Sequence, residues 1–209
     1  MTSLIKSPFT NDTEILISKI LSENKVLAFP TETVYGLGGN AFSKEVADRI
    51  YKMKKRTRNK PFPLLITVKW LKQLCLWNDT RIDNLIETFW PGPLTLILKS
   101  KPDLPKHLKN NSETLAVRHS KSYVVQRLIE LGECPLIGTS ANISGFPPCK
   151  SSDEVTRLLK DNVDIVIDGY TGSGNLASTI VHCLTEPFKI IRQGAISLKE
   201  LNLICKIQK

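Results

Sequence analysis

The chain has 209 residues, of which 41% are hydrophobic and 23% are charged, so it is long enough and apolar enough to bury a core. Its formal net charge of +9 favours polyanionic ligands such as a nucleotide or RNA. No apolar run approaches the roughly 18–20 residues that a membrane-spanning helix needs.

The five cysteines are widely spaced and include no CxxC pair, and the three histidines are scattered. This pattern argues against a disulfide framework and against a zinc site. The N-terminal residues include one early lysine and no long apolar segment, unlike a secretory signal. We therefore expect a cytoplasmic protein with no membrane association and no metal held by protein ligands alone.

Apolar spacing predicts helices and strands that alternate along the chain. The first half shows helical spacing at 13–23, 43–55 and 80–90, and strand-like runs at 26–29, 64–68, 94–98 and 114–117. The second half adds helices at 123–131, from 151 and from 197, and strands at 136–137, 163–167, 179–183 and 188–191. This irregular alternation predicts an α/β fold with a mixed sheet, in a single domain 1–209.

Helix ends carry their own signals. Asn11 and Asp12 precede the first helical pattern and are predicted to cap it. Ser151 with Glu154, and Ser197 with Glu200, have the spacing of capping boxes.

A basic segment spans residues 44–60. It contains eight Lys or Arg and two Asp or Glu, so it carries +6 of the net +9. It begins on a helical pattern and breaks at Pro61, and cations held where a helix becomes a loop can neutralise a bound anion such as phosphate. A solvated basic helix face is the alternative.

Two polar segments follow short strands. PTETVYGLGGNA at 30–41 and GTSANISG at 138–145 place hydroxyls, an amide and glycines at strand ends, where open α/β sheets bind ligands. Taken alone, each is more typical of an ordinary turn. A P-loop pattern is absent, which argues against a P-loop kinase or GTPase. The GSGNLA match at 172–177 is followed by β-branched residues where a dinucleotide site needs a helix, so we reject it.

Together these segments resemble the YrdC/TsaC family of threonylcarbamoyl-AMP synthases over essentially the whole chain. PTETVYGLG, KKRT followed by Pro61, WPGPLT at 90–95, LAVR at 115–118, SAN at 140–142 and IRQG at 191–194 match family segments in order. The resemblance implies a twisted mixed sheet flanked by helices, with a concave, positively charged cleft. It also implies a short, single-domain form without the C-terminal domain of longer relatives.

The activity implied by the resemblance is synthesis of threonylcarbamoyl-AMP and pyrophosphate from L-threonine, bicarbonate and ATP, with Mg²⁺ accompanying ATP. The product would serve a downstream tRNA-threonylcarbamoyl transferase complex that modifies ANN-decoding tRNA.

The resemblance also distributes roles over the site residues. Lys54 and Arg56 are expected to be catalytic. Thr31, Thr33, Tyr35 and Arg118 are expected to bind the amino acid or carbamate. The nucleotide is expected to contact Thr57, Thr139, Ser140, Asn142, Ser178 and Arg192. Ala177 stands where many members have proline, which bears on the orientation of Ser178.

Two other functions compete with this one. A concave basic sheet can bind RNA by shape and phosphate contact without catalysis. A relative of the same fold makes carbamoyl-adenylate, normally within a much longer chain. Because no ladder of stacking aromatic residues is visible, we expect RNA binding to be weak, nonspecific and sensitive to salt.

Overall fold

A computed structural model describes residues 3–58, 61–109, 112–172 and 176–209. The strands in these ranges are β1 (Ser3–Lys6), β2 (Leu27–Pro30), β3 (Tyr35–Gly38), β4 (Leu64–Leu65), β5 (Cys75–Leu76), β6 (Leu94–Ser100), β7 (Thr114–Arg118), β8 (Leu136–Ile137), β9 (Thr139–Ser140), β10 (Ile165–Asp168), β11 (Thr179–His182), β12 (Phe188–Arg192) and β13 (Ile207–Gln208). The α-helices are α1 (Asn11–Ser22), α2 (Lys44–Lys54), α3 (Val68–Leu74), α4 (Thr80–Phe89), α5 (Tyr123–Gly132), α6 (Ser152–Leu159) and α7 (Leu198–Asn202). Short 3-10 helices cover Lys106–Leu108 and Lys160–Asn162.

The strands form two sheets, both mixed. The five-stranded sheet has the order β1-β10-β2-β3-β9, with parallel pairs at β1/β10 and β10/β2 and antiparallel pairs beyond. The eight-stranded sheet has the order β13-β12-β11-β6-β7-β4-β8, and β5 pairs with β6 outside this path. The predicted α/β class with mixed sheets and flanking helices is confirmed, but the strands divide between two sheets and not one.

Two hydrophobic clusters hold the sheets to their helices. The smaller cluster lies between β2 and the paired helices α1 and α5, and includes Ile17, Leu27, Phe29 and Leu128. The larger cluster contains residues of α2, α3, α4, α6 and α7 and of strands from both sheets. Phe29, for example, is fully buried, and burying such a side chain contributes roughly 1.5–3 kcal/mol.

The two sheets meet where β3 passes β8. The backbone N–H of Ile137 donates to the Gly39 carbonyl at 2.9 Å. A side chain at Gly38 would come within 1.8 Å of the Ile137 carbonyl oxygen, and one at Gly138 within 2.4 Å of Leu65. Glycine is therefore required at both positions for the sheets to approach each other. This junction brings the polar segment after β2 next to the one after β8.

Helix starts follow the expected chemistry, with two corrections. Thr10, not Asn11 or Asp12, is the N-cap of α1 and forms a capping box with Thr13. Ser197 and Glu200 form the predicted capping box. At α6, Ser151 accepts from the N–H of Glu154, but the Glu154 carboxylate accepts from Lys150 instead, so only half of that box forms.

The predicted strand at 64–68 is shorter than expected. Only Leu64 and Leu65 pair in the sheet, and Thr67 is already the N-cap of α3. The run of apolar residues that predicted a strand continues into a short helix because Leu71 and Leu74 bury one helical face.

Candidate functional site

A cavity of about 700 Å³ lies at the junction of the two sheets. Eleven of the twelve predicted site residues line it: Thr31, Thr33, Tyr35, Lys54, Arg56, Arg118, Thr139, Ser140, Asn142, Ser178 and Arg192. Four of them are cations, and the described lining includes no carboxylate. Thr57 is exposed and is not among the lining residues. The fold therefore gathers residues that are up to 161 positions apart in sequence, from Thr31 to Arg192.

The first corner of the cavity, the Arg118 corner, consists of Thr31, Thr33 and Arg118 with Glu32 behind them. The Thr31 hydroxyl donates to the Val34 carbonyl and lies 2.8 Å from the Thr33 hydroxyl. Both Nη atoms of Arg118 lie 3.3 Å from the Thr33 hydroxyl. Thr31 therefore fixes the turn, whereas Thr33 stands beside the guanidinium.

Tyr35 has a different place from the one expected. Its side chain is fully buried, and its hydroxyl lies 3.2 Å from the Ile167 carbonyl and 3.1 Å from the Gly169 carbonyl and accepts from the Gly169 N–H. Burial raises the pKa of this phenol. The hydroxyl thus joins β3 to the end of β10 and is not presented to a ligand, so we assign Tyr35 a structural role.

The second corner, the Lys54 corner, consists of Lys54, Ser140 and Asn142. Lys54 is the last residue of α2, where the helix dipole favours a cation. Its Nζ donates to the carbonyls of Ser140 at 2.6 Å and Asn142 at 2.9 Å, and to Oδ1 of Asn142 at 2.6 Å. All three ammonium hydrogens have acceptors, and every acceptor is neutral.

Lys54 is 2% exposed, and none of the acceptors of its ammonium group is a carboxylate. Burial, and to a smaller extent the charge on Arg56, lower its pKa to about 8. The Ser140 hydroxyl donates to Oδ1 of Asn142 at 2.6 Å, so the same amide oxygen collects two donors. Lys54 therefore holds the SAN segment in one conformation while keeping its charge at the cavity.

Arg56 lies just past the end of α2. Its guanidinium carbon stands 4.9 Å from the centre of the Phe62 ring, a cation–π arrangement, and Nη2 contacts the Pro61 carbonyl at 3.5 Å. The helix ends earlier than the predicted break at Pro61: Lys55 is its left-handed C-cap, and Arg56, the next residue, lies along the cavity wall.

A third group combines Ser178, Arg192 and Thr95. Arg192 donates to the Ser178 carbonyl from Nη2 at 2.8 Å and to its hydroxyl from Nη2 at 2.9 Å. The Ser178 hydroxyl also lies 2.8 Å from the hydroxyl of Thr95, which is 1% exposed. A side chain at Gly194 would come within 2.2 Å of the Ala177 carbonyl, which explains the glycine two residues after Arg192.

Thr95, in the cavity lining, and Glu32, behind it, are not among the residues that the sequence motifs predicted for the site. Thr95 ends the WPGPLT segment, and Glu32 is the third residue of PTET. The sequence signal for Thr95 is its position, since it is the second residue of a strand that starts directly after a Gly-Pro turn. For Glu32 the signal was a carboxylate between two hydroxyls in a chain whose other motifs are basic.

The cavity floor is the eight-stranded sheet. Alternate residues of β6, β7 and β11 face it: Ile97, Ala116 and Ile180 are apolar, and Thr95, Thr114 and Arg118 are polar. Ile191 of β12 is also in the lining, although it is 59% exposed. The site therefore combines a cationic, hydroxyl-rich rim with a floor in which apolar and polar side chains alternate.

Within the described ranges, no group of three or more His, Cys, Asp or Glu is arranged to hold a metal ion. In the same ranges no helix is long and apolar enough to cross a membrane.

Residues 19–194 match the model of the Sua5/YciO/YrdC family, which is described as telomere recombination. The chain belongs to this family. The resemblance that the sequence motifs indicated is therefore confirmed.

Relatives of the chain are named threonylcarbamoyl-AMP synthase. One from Pyrococcus abyssi is 34% identical over 185 residues, covering 88% of this chain and 54% of the relative. One from Klebsiella pneumoniae is 33% identical over 179 residues, covering 84% and 92%. The crystal structure of P. abyssi Sua5 complexed with L-threonine superposes with a TM-score of 0.91 at 30% identity, over 99% of this chain and 62% of that one. The chain thus spans about half the length of the P. abyssi relative.

Proposed function

We propose that this protein is a threonylcarbamoyl-AMP synthase that uses L-threonine, bicarbonate and the Mg²⁺ complex of ATP. The observation that carries the proposal is the cavity lined by Lys54, Arg56, Arg118 and Arg192 with no carboxylate in its described lining. The relatives' names support the activity, and the bound L-threonine of P. abyssi Sua5 supports the amino acid.

The chemistry joins anions. The amine of threonine forms a carbamate with bicarbonate, and water leaves. A carbamate oxygen then attacks the α-phosphorus of ATP, the bond to the β-phosphate breaks, and pyrophosphate leaves. Because the carboxylate, the carbamate and the triphosphate repel one another, fixed cations are the protein's main contribution.

Each corner has a place in this scheme. Arg118 and Thr33 hold the amino acid through its carboxylate and hydroxyl. Thr139, Ser140 and Asn142 hold the triphosphate, whose charge Mg²⁺ offsets in part. Lys54 acts through its charge and through the SAN segment, since its three hydrogens already have acceptors in the protein.

Ser178 directly precedes β11 and Arg192 ends β12, and we assign both residues to the nucleotide. Thr57, which is exposed, reaches the nucleotide only if the ligand extends out of the cavity. We further propose that the product serves a tRNA-threonylcarbamoyl transferase complex, and that tRNA is not needed for the adenylate-forming step.

Pyrophosphate release tests the proposal. We expect release only when threonine, bicarbonate, ATP and Mg²⁺ are all present, and no change in rate on adding ANN-decoding tRNA. Equal release with serine, or without bicarbonate, would contradict the threonylcarbamoyl assignment. Salt-resistant, selective tRNA binding together with no pyrophosphate release would favour the RNA-binding alternative.

A further inference from the structure

Glu32 is a carboxylate that the proposed mechanism does not use. It belongs to the PTET segment between Thr31 and Thr33, but it is not among the cavity-lining residues. Its side chain is 18% exposed. Burial alone would raise its pKa, but the Arg118 charge and the hydrogen bonds it accepts outweigh this and keep the pKa below its ordinary value. Glu32 is therefore an ionised group behind the wall of the site.

Its two oxygens connect three parts of the fold. Oε1 lies 2.8 Å from Nη2 of Arg118 and accepts from the backbone N–H of Lys121 at 3.0 Å. Oε2 accepts a short hydrogen bond from the Ser120 hydroxyl. Ser122, two residues after Ser120, is the N-cap of α5. The carboxylate thus ties the loop after β2 to the end of β7 and to the start of α5.

Glu32 completes the fixation of the Arg118 guanidinium. Nε of Arg118 donates to the Gly92 carbonyl at 3.1 Å, and its two Nη atoms lie 3.3 Å from the Thr33 hydroxyl. With the bond to Glu32, contacts at Nε, Nη1 and Nη2 determine both the position and the plane of the fork. A planar guanidinium donates only along fixed directions, so a substrate carboxylate can accept from it only when its plane is correctly set.

We propose that Glu32 is a positioning residue for amino-acid binding, which holds the Arg118 guanidinium in the plane that receives the substrate carboxylate. The inference rests on the proposed function, because that function supplies the carboxylate. Glu32 touches no substrate and lowers the net charge at this corner, so its benefit is orientation and not attraction. The competing explanation is that Glu32 only fastens the turn before α5.

Steady-state kinetics of Glu32→Ala test the proposal. We expect the KM for threonine to rise at least tenfold, with the KM for ATP changed by less than twofold. Glu32→Gln keeps an oxygen that can accept from Arg118 and should return the KM for threonine to within about threefold of the unmodified protein. Ser120→Ala is the matched control, since it removes the bond to the turn and leaves the Arg118 pair. It should leave the KM for threonine and the KM for ATP within about twofold of those of the unmodified protein.

The same substitution in an Arg118→Lys background separates positioning from fastening. If Glu32 acts through the guanidinium, Glu32→Ala raises the KM for threonine by less than twofold in the Arg118→Lys protein. A full tenfold addition in that background, or a Ser120→Ala variant that reproduces the effect, would overturn the inference. If the protein is active and Glu32→Ala leaves the KM for threonine unchanged, the inference about Glu32 is overturned and the proposed function is not. A protein that neither binds threonine by calorimetry nor releases pyrophosphate would overturn the proposed function as well.

Discussion

The Lys54 corner and the Arg118 corner hold their cations in opposite ways. Lys54 donates to two backbone carbonyls and a side-chain amide, all neutral. Arg118 is paired with the Glu32 carboxylate at 2.8 Å. Both side chains are buried, at 2% and 7% exposure. At the Lys54 corner, none of these partners offsets the positive charge. At the Arg118 corner, the Glu32 carboxylate offsets the charge and fixes the geometry of the guanidinium.

This difference assigns separate tasks to the two corners. An uncompensated buried cation is costly for folding, and a ligand that brings negative charge relieves that cost. A compensated guanidinium attracts a distant anion less, but it selects by shape. Arg192, which donates to the Ser178 carbonyl and hydroxyl, resembles Lys54 in having neutral partners. Charge for the reaction should thus come from Lys54, Arg56 and Arg192, and recognition of the amino acid from Arg118.

The largest expected effect is at Lys54. Lys54→Met keeps most of the stem and removes the charge, so we expect kcat to fall by about 10²-fold, the scale for losing one preorganised stabilising donor. Arg56→Ala should have an effect of similar size. Pyrophosphate release under saturating substrates measures both.

Lys52→Ala is the matched control for Lys54→Met. Lys52 is exposed on the same helix and should be neutral. Thermal unfolding separates a lost charge from a lost fold, because Lys54→Met also leaves the Ser140 and Asn142 acceptors without their donor. Near-normal kcat in a folded Lys54→Met protein would show that the reaction does not need the Lys54 charge.

The second prediction concerns pH. Because the pKa of Lys54 in the folded protein is about 8, below its ordinary value of 10.5, the ammonium is charged at pH 7 and mostly neutral at pH 9. We expect the Kd for MgATP, measured by calorimetry, to rise about tenfold between these pH values as the protonated fraction falls. The Lys54→Met protein should lack this dependence, and an equal dependence in that variant would assign the titration to another group.

The same shift has a consequence for stability. Between pH 8 and 10.5 the unfolded chain binds more protons at Lys54 than the folded chain does. The free energy of unfolding therefore receives from this residue a contribution that increases with pH over that window, because the cost of the buried charge is removed. Below pH 8 the ammonium is charged in both states and the cost is present in full.

The sequence predicted the site better than it predicted the contacts inside it. Motif order identified eleven residues that line one cavity, since strand ends and glycine-rich turns leave local signals. It did not predict that the Tyr35 hydroxyl would bond to backbone groups more than 130 residues away, because the approach of β3 to β10 is a tertiary event. Thr57 shows the converse, since it shares the KKRT motif but lies outside the cavity lining.

The division into two sheets was equally beyond local pattern. Strands of two residues, such as Leu64–Leu65 and Thr139–Ser140, are too short to show a period of two. Their pairing is set by close approach at Gly38 and Gly138, where a side chain would collide with Ile137 or Leu65. The sequence places these glycines at strand ends, and in the structure they permit contact between the two sheets.

The smallest expected effect is at Thr95, and it decides which substrate the third cationic group serves. Thr95→Val keeps the β-branched shape at a position 1% exposed and removes the 2.8 Å bond to the Ser178 hydroxyl. A neutral hydrogen bond of this kind contributes about 0.5–1.5 kcal/mol, so we expect kcat/KM for ATP to fall about threefold to tenfold, with kcat/KM for threonine at saturating ATP changed less. Thr95→Ser restores the hydroxyl and should restore the value for ATP. If only kcat/KM for threonine falls, Ser178 and Arg192 lie beside the amino acid. The Arg192 charge would then act together with the Arg118 corner and not on the nucleotide.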